Sequence, residues 1–258
     1  MLVLTVNNLT KSFIKYNSRF DLVSDLLLKT NRAAHKPMLK DVNFKVYKGE
    51  TFGILGDNSS GKTVLLKVLG NQLLPTEGSV DTDARIFRHS YMTGMQEHKS
   101  GYDNIYYKCG LHGLTPLEID QIVGKIVEFS ELGDQIYERY GGYSTSMRSK
   151  LGFAIAINIK ADIVLLDESY AVGDGSFRTK CNDAFYEQKR AGMTIIYASY
   201  SHHSIKNTCD RALWLAEGEV MCVGNPAKIA SLYEMYLRKE KTLAEIKYGL
   251  EVGYYGIH

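Results

Sequence analysis

The stretch T-F-G-I-L-G-D-N-S-S-G-K-T, Thr51 to Thr63, decides the fold. It opens as a short apolar strand, Thr51 to Leu55. A loop of small residues follows: Gly56, Asp57, Asn58, Ser59, Ser60, Gly61, Lys62 and Thr63. Beyond it, V-L-L-K-V-L-G-N-Q-L-L-P has helical apolar spacing and ends near Pro75. The loop fits G-x-x-x-x-G-K-[ST]. Between a strand and a helix N-terminus, such a loop aims several backbone N–H groups at one concave spot, and the helix dipole adds partial positive charge there. That is a cradle for phosphate. Lys62 supplies a full charge for the β- and γ-phosphates of a nucleotide, and Thr63 offers a hydroxyl to Mg²⁺.

A second run completes this reading. I-V-L-L-D-E, residues 163 to 168, is continuously apolar and closed by two carboxylates, which suits a buried parallel strand. Asp167 at its end is placed to hold the Mg²⁺ hydration shell. Glu168 is placed to orient and deprotonate an attacking water. Adjacent carboxylates at a strand end are otherwise plain surface charges; the phosphate loop upstream favours the site.

Working outward, the first eight residues and V-N-F-K-V-Y-K-G-E (42–50) alternate like half-exposed strands. Between them, Phe20, Val23, Leu26 and Leu27 fall at helical spacing within 17–37. They predict a short amphipathic helix that either covers its own core or meets a partner. Thr115 is a plausible N-cap for a helix running to Gly133, and S-M-R-S-K-L-G-F-A-I-A-I-N-I (146–159) predicts another. T-I-I-Y-A-S (194–199) reads as a strand, R-A-L-W-L-A-E-G-E-V (211–220) as a hairpin turning at Glu217–Gly218, and the last thirty residues as a helix that ends in a frayed, Tyr-rich tail. Strands alternating with helices indicate an α/β core.

Bulk properties bound the function. The 258 residues suit one large domain, or one with a smaller lobe, and a net charge of +2 leaves no electrostatic footprint for nucleic acid. No run approaches the length of a transmembrane helix, and the N-terminus lacks the form of a signal peptide. The four cysteines show no C-x-x-C pair and read as reduced thiols. A soluble cytoplasmic protein is expected, one able to dock on a membrane protein.

Residues 141–177 narrow the family. Tyr143, Ser144, Thr145, Ser146, Met147, Arg148, Ser149, Lys150 and Leu151 precede the I-V-L-L-D-E strand, and Ala171, Val172, Gly173 and Asp174 follow it. In this order they resemble the signature motif, Walker B strand and D-loop of the ATP-binding-cassette (ABC) transporter ATPases. Y-S-S-G-M-R-x-[RK]-L in place of L-S-G-G-Q, with A-V-G-D as D-loop, is similar to the ATPases of polysaccharide exporters of the capsule, O-antigen and teichoic-acid types. The resemblance covers about residues 2–236 and implies a P-loop NTPase of the ABC ATPase type: a RecA-like core, an antiparallel β subdomain and a helical signature subdomain at about 90–160. Residues 237–258 would form a short C-terminal tail.

The resemblance also implies a mechanism. Two ATPase subunits, expected to be a homodimer, would sandwich ATP and Mg²⁺ between the phosphate loop of one and Ser144, Thr145, Ser146 and Asp174 of the other. Phe13, or Tyr16, would stack on adenine. The pair would sit peripherally on the cytoplasmic face of the inner membrane and drive a polytopic permease that exports a glycan. Three residues depart from the family pattern. Ser59 and Ser146 replace glycines; a Cβ at Ser59 requires a negative φ. In the third departure, the switch histidine of an S-H-S motif becomes Tyr200 in Ser199-Tyr200-Ser201, with Cys209 at the usual interval after it. His202 and His203 then read as solvated residues, and Tyr200 takes the catalytic position. Gln96 is the glutamine in the region of the family's Q-loop, although spacing to Asn104 places the family position nearer Tyr91. These departures motivate an alternative: a nucleotide-binding subunit with little hydrolysis, acting as a regulatory or structural module.

Overall fold

The structure, a computed structural model, describes residues 1–15, 34–88, 94–159, 161–167 and 175–257. The helix expected at 20–28 lies outside the described residues, as do Tyr16, Tyr91, Glu168 and the D-loop residues 171–174.

Two sheets carry the fold. β1 (Leu2–Lys15) and β2 (Ala34–Tyr47) pair antiparallel; after β3 (Thr51–Leu55) and helix α1 (Lys62–Leu69), β4 (Glu77–Asp81) joins the other edge of β1. From β5 (Ile86–Arg88) the chain runs through helices α2 (Gly101–Leu111), α3 (Pro116–Asp120), α4 (Val123–Ser130) and α5 (Thr145–Asn158) to β6 (Ile163–Leu166). Then come α6 (Gly175–Arg190), β7 (Thr194–Ser199), α7 (His202–Thr208), β8 (Arg211–Ala216), β9 (Glu219–Gly224), α8 (Pro226–Leu237) and α9 (Leu243–Glu251).

The second sheet has the order β5-β6-β7-β3-β8-β9, parallel except for β9. β3, β6 and β7 are buried along their whole length, which is why they read as unbroken apolar runs. One face packs with α1 against the antiparallel sheet, through Leu65, Leu66, Val42, Val46 and Ile54. The other face packs on α6, α8 and α9 through Phe177, Phe185, Trp214 and Tyr233. A third core, around Ile105, Ile126, Tyr140 and Ile155, holds α2 to α5 together as a helical lobe. The α/β architecture, with an antiparallel β part and a helical part, agrees with the sequence reading.

Several boundaries differ from expectation. β1 runs to Lys15, not eight residues, because its alternation is broken by a bulge: Asn8 (φ 47°) and Asp41 (φ 47°) are left-handed, and the Asn8 side chain donates to Asp41 Oδ1 at 2.8 Å. β2 spans 34–47 and stops at the turn holding Gly49 (φ 79°). α1 ends at Leu69 rather than near Pro75. Asn71 is left-handed (φ 53°), and the Gln72 N–H donates to the Lys67 carbonyl at 2.8 Å, closing a Schellman-type cap. The helix expected from Thr115 to Gly133 is two, α3 and α4; Thr115 caps the first in a capping box with Glu118. The hairpin turn lies where expected, with Glu217 (φ 51°) and Gly218 (φ 83°) both left-handed. The tail is packed, not frayed: Ile246 and Ile257 are buried, and Lys228 Nζ donates to the Gly256 carbonyl at 2.9 Å.

Candidate functional site

The carboxyl ends of β3, β6 and β7 bring together segments far apart in sequence. The loop after β3 is held by main-chain bonds on two sides. Gly56 N–H donates to the Ser199 carbonyl at the end of β7 (3.3 Å), and Gly218 N–H of the hairpin turn donates to the Ser60 carbonyl (3.1 Å). Within the loop, Ser60 N–H donates to the Asp57 carbonyl (3.1 Å). Gly56 and Gly61 are required. A Cβ on Gly56 would collide with the Leu215 carbonyl, and Gly61 has φ 107° with the Met38 carbonyl 2.8 Å from where a Cβ would stand. Ser59 is not among the positive-φ residues, so its Cβ is accommodated as the sequence required.

Lys62 begins α1 and is 6% exposed. Its ammonium donates to the carbonyls of Gly56 (2.6 Å) and Asp57 (2.8 Å), so a full positive charge is held inside the loop. The Ser60 hydroxyl is buried and lacks a protein hydrogen-bond partner among the described residues. Thr63 is exposed, and its hydroxyl donates to Asp167 Oδ2 across 3.5 Å, at the edge of hydrogen-bond range. A hydroxyl and a carboxylate at this spacing form an all-oxygen donor pair of the kind Mg²⁺ takes beside phosphate. A buried cation, an orphaned hydroxyl and that oxygen pair fit a Mg²⁺–nucleotide.

The signature segment forms a separate helix N-terminus. Ser144 is the N-cap of α5, accepting from the Met147 N–H at 3.2 Å, and Ser144, Thr145 and Ser146 are all exposed. Arg148 fixes this end. It donates to both Glu97 carboxylate oxygens (2.8 and 3.0 Å) and to the carbonyls of Tyr143 (3.1 Å) and Gly141 (3.3 Å), and its guanidinium lies 4.6 Å from the Tyr140 ring centre. The bond from Arg148 holds the Glu97 carboxyl below its ordinary range. Gln96 is half-buried; its main-chain N–H donates to Asn104 Oδ1 and its carbonyl accepts from the Asn104 side-chain amide. Phe13, on β1, is 39% exposed, with Lys11 Nζ 5.3 Å from its ring centre.

Tyr200 follows β7 directly and is 54% exposed. The two histidines divide. His203 is exposed, as expected. His202 is not a solvated residue: its Nε2 is buried without a hydrogen-bond partner among the described residues, and its ring lies 6.3 Å from that of Tyr233. Burial, with His203 alongside, holds its imidazole below the ordinary histidine value. It opens the short helix α7, whose N-cap is Ser201, and the residue as a whole is half-buried.

Sequence reading missed Tyr233. From α8 its hydroxyl donates to the Asp57 carboxylate in the phosphate loop. Spacing offered no signal, since the two residues are 176 apart.

Comparison with known proteins identifies the fold and the family. Residues 39–171 match the family model described as ABC transporter. The teichoic acids export ATP-binding protein TagH of Staphylococcus haemolyticus is 32% identical over 244 residues, covering 94% of this chain and 92% of that protein. The TagH protein of Shouchella clausii is 35% identical over 234 residues, 90% of this chain; the match spans 65% of that longer protein. A solved ATP-binding subunit of an ABC transporter superposes with a TM-score of 0.72 at 17% identity, over 96% of this chain and 99% of that one. A dimeric ATP-binding cassette solved in a post-hydrolysis state with ADP and Pi gives 0.69 at 17% identity, over 86% and 98%. The fold is that of these cassettes, and the chain belongs to the ABC transporter family, on the branch of the teichoic acids export ATP-binding proteins.

Proposed function

We propose that the chain binds and hydrolyses Mg·ATP as the motor subunit of an exporter that moves teichoic acid or a related polysaccharide across the cytoplasmic membrane. The observation that carries this reading is the buried Lys62 ammonium inside a strand–loop–helix cradle, with Thr63 facing Asp167. Its setting in a chain similar to TagH proteins supplies the transport context.

In this reading the loop from Gly56 to Thr63 binds the phosphates, and Phe13 stacks on adenine. Bound Mg²⁺, held by Thr63 and Asp167, would neutralise charge on the β- and γ-phosphates. Glu168 takes the proton of the attacking water, and the Tyr200 hydroxyl donates to the γ-phosphate. A second copy of the chain supplies Ser144, Thr145, Ser146 and Asp174 from the facing side, a reading that the exposure of Ser144, Thr145 and Ser146 supports. The fold relative solved as a dimer with ADP and Pi supports that arrangement. The partner in transport is a polytopic permease, and the subunit works at its cytoplasmic face; among the described residues no helix is long and apolar enough to cross a membrane.

The test is calorimetry of Mg·ATP binding to the wild type and Lys62→Ala, followed by an ATPase assay with the co-expressed permease. Lys62→Ala should bind at least tenfold more weakly, equivalent to about 1.4 kcal/mol. Equal affinities would refute the phosphate assignment. Tight binding with no hydrolysis in the presence of permease would instead favour a regulatory nucleotide-binding subunit.

A further inference from the structure

Tyr233 sits on the inner face of α8 and is 1% exposed. It is locked by aromatic neighbours: Trp214 of β8 edge-on at 5.5 Å, Tyr236 at 6.2 Å and His202 at 6.3 Å between ring centres. Trp214 also meets Tyr236, at 5.7 Å. The side-chain hydroxyl of Tyr233 donates to Asp57 Oδ1 in the phosphate loop. Tyr236, three residues on and so on the same helix face, also has the Asp57 carboxylate beside it; burial first, and that carboxylate second, push its phenol above the ordinary tyrosine value.

Asp57 is therefore gripped from outside the loop by its side chain and from inside by its main chain, whose carbonyl accepts from Lys62 Nζ at 2.8 Å. It is also the only carboxylate within the Gly56–Thr63 loop. A tethered carboxylate keeps one orientation. An untethered one samples orientations that carry negative charge toward a phosphate, and repulsion between like charges at close range is costly. A buried tyrosine on a packed helix is a rigid tether, because its ring cannot shift without displacing Trp214.

We propose that Tyr233 is a positioning residue for the phosphate loop: from α8 it fixes the Asp57 carboxylate, and through Asp57 the Lys62 ammonium, in the arrangement that accepts a nucleoside triphosphate. The proposal rests on the phosphate-binding reading of this loop. It makes α8 part of the nucleotide site, although that helix lies outside the segment matched by the family model.

The experiment is a double-mutant cycle on the full chain, reading Mg·ATP affinity by calorimetry and kcat and KM for hydrolysis. Tyr233→Phe should weaken Mg·ATP binding about tenfold and raise KM, with kcat nearly unchanged. Asp57→Ala also loses the tether but leaves no free carboxylate to turn toward the phosphate, so it should weaken binding less, by about threefold. The double variant should lose no more than about twofold beyond either single one, because both remove the same contact. Losses that multiply in the double variant would make Tyr233 a packing residue only and overturn the proposal. So would a Tyr233→Phe protein that binds like the wild type. Should Tyr233→Phe fail to fold, Asp57→Asn, which keeps an acceptor oxygen, is compared with Asp57→Ala. Near wild-type affinity in Asp57→Asn alone supports the tether; equal affinities overturn it. A wild-type protein that binds no Mg·ATP would sink the phosphate-loop reading itself, and this proposal with it.

Discussion

Replacing Gly61 by alanine tests the geometry of the phosphate loop most directly. Gly61 has φ 107°, beyond the left-handed well that asparagine and aspartate tolerate, and its absent Cβ would stand 2.8 Å from the Met38 carbonyl and 3.0 Å from Leu39 Cδ2. Holding a side-chain-bearing residue in a sparsely populated backbone region costs about 1–3 kcal/mol. Pressing a methyl against main chain, which cannot rotate away as a side chain can, brings the expected loss to about 2–4 kcal/mol. For a domain of this size each kcal/mol moves Tm by about 2–4 °C, so Tm should fall by roughly 4–16 °C. Gly110→Ala is the control. Gly110 is an exposed helical residue of α2 with open space where its Cβ would be, and alanine there should add about 0.5–1 kcal/mol. Urea unfolding and calorimetry of both variants beside the wild type give the two numbers. A Gly61→Ala protein that melts within a degree of the wild type, while Gly110→Ala gains stability, would show that the loop does not adopt this conformation.

Tyr200→His should raise ATP turnover by about tenfold, or about 1.4 kcal/mol off the barrier, as an imidazole replaces a neutral phenol; steady-state kinetics with the permease would show it, and an unchanged or lower rate would remove Tyr200 from the chemistry. His202→Ala should instead act through packing, lowering Tm while leaving turnover within about twofold, because its Nε2 is buried and its ring lies beside that of Tyr233; abolished turnover at unchanged Tm would make it the displaced switch. His112, packed 4.3 Å from Phe87, has its pKa lowered to about 4, first by burial and then by Lys108. The unfolded chain therefore takes up that proton first, so the contribution is present above about pH 6.5 and is lost as pH falls from there toward 4. A urea midpoint followed over that window should drop in the wild type and drop less in His112→Gln; equal slopes would argue against the shift. Thr115→Ala removes a complete capping box and should cost about 1 kcal/mol by urea unfolding; no measurable loss would mean that α3 is held by packing alone.

What the sequence revealed was local chemistry. The strand, loop and lysine of 51–63, the Asp167 strand end and the Glu217–Gly218 turn are each encoded within a dozen residues, so spacing alone places them. Bulges defeat that logic. Asn8 breaks the alternation of β1 although the strand continues, because its partner Asp41 bulges with it. The end of α1 at Gly70–Asn71 was masked by the apolar Leu73 and Leu74 beyond, which extend the helical pattern past the real cap. His202 reads as solvated because its contact with Tyr233 comes from a distant helix, and the grip of Tyr233 on Asp57 joins residues 176 apart, where no periodicity reaches.

The place of β3 in its sheet has a consequence for how the chain is made. Gly53 pairs with Tyr197 on one side and Ala212 on the other, so both neighbours of the first strand of this sheet arrive in the last quarter of the polypeptide. While the chain emerges from the ribosome, the phosphate loop lacks both strands that flank β3 and the main-chain bonds to Ser199 and Gly218. Its apolar strand waits through the synthesis of the whole helical lobe, which packs around a core of its own and can order early. An apolar strand kept unpaired that long is a hazard for aggregation. A nascent chain released before β8 is translated would carry every residue of the loop and still build no site, which makes the region around Trp214 the checkpoint that decides whether this protein leaves the ribosome competent.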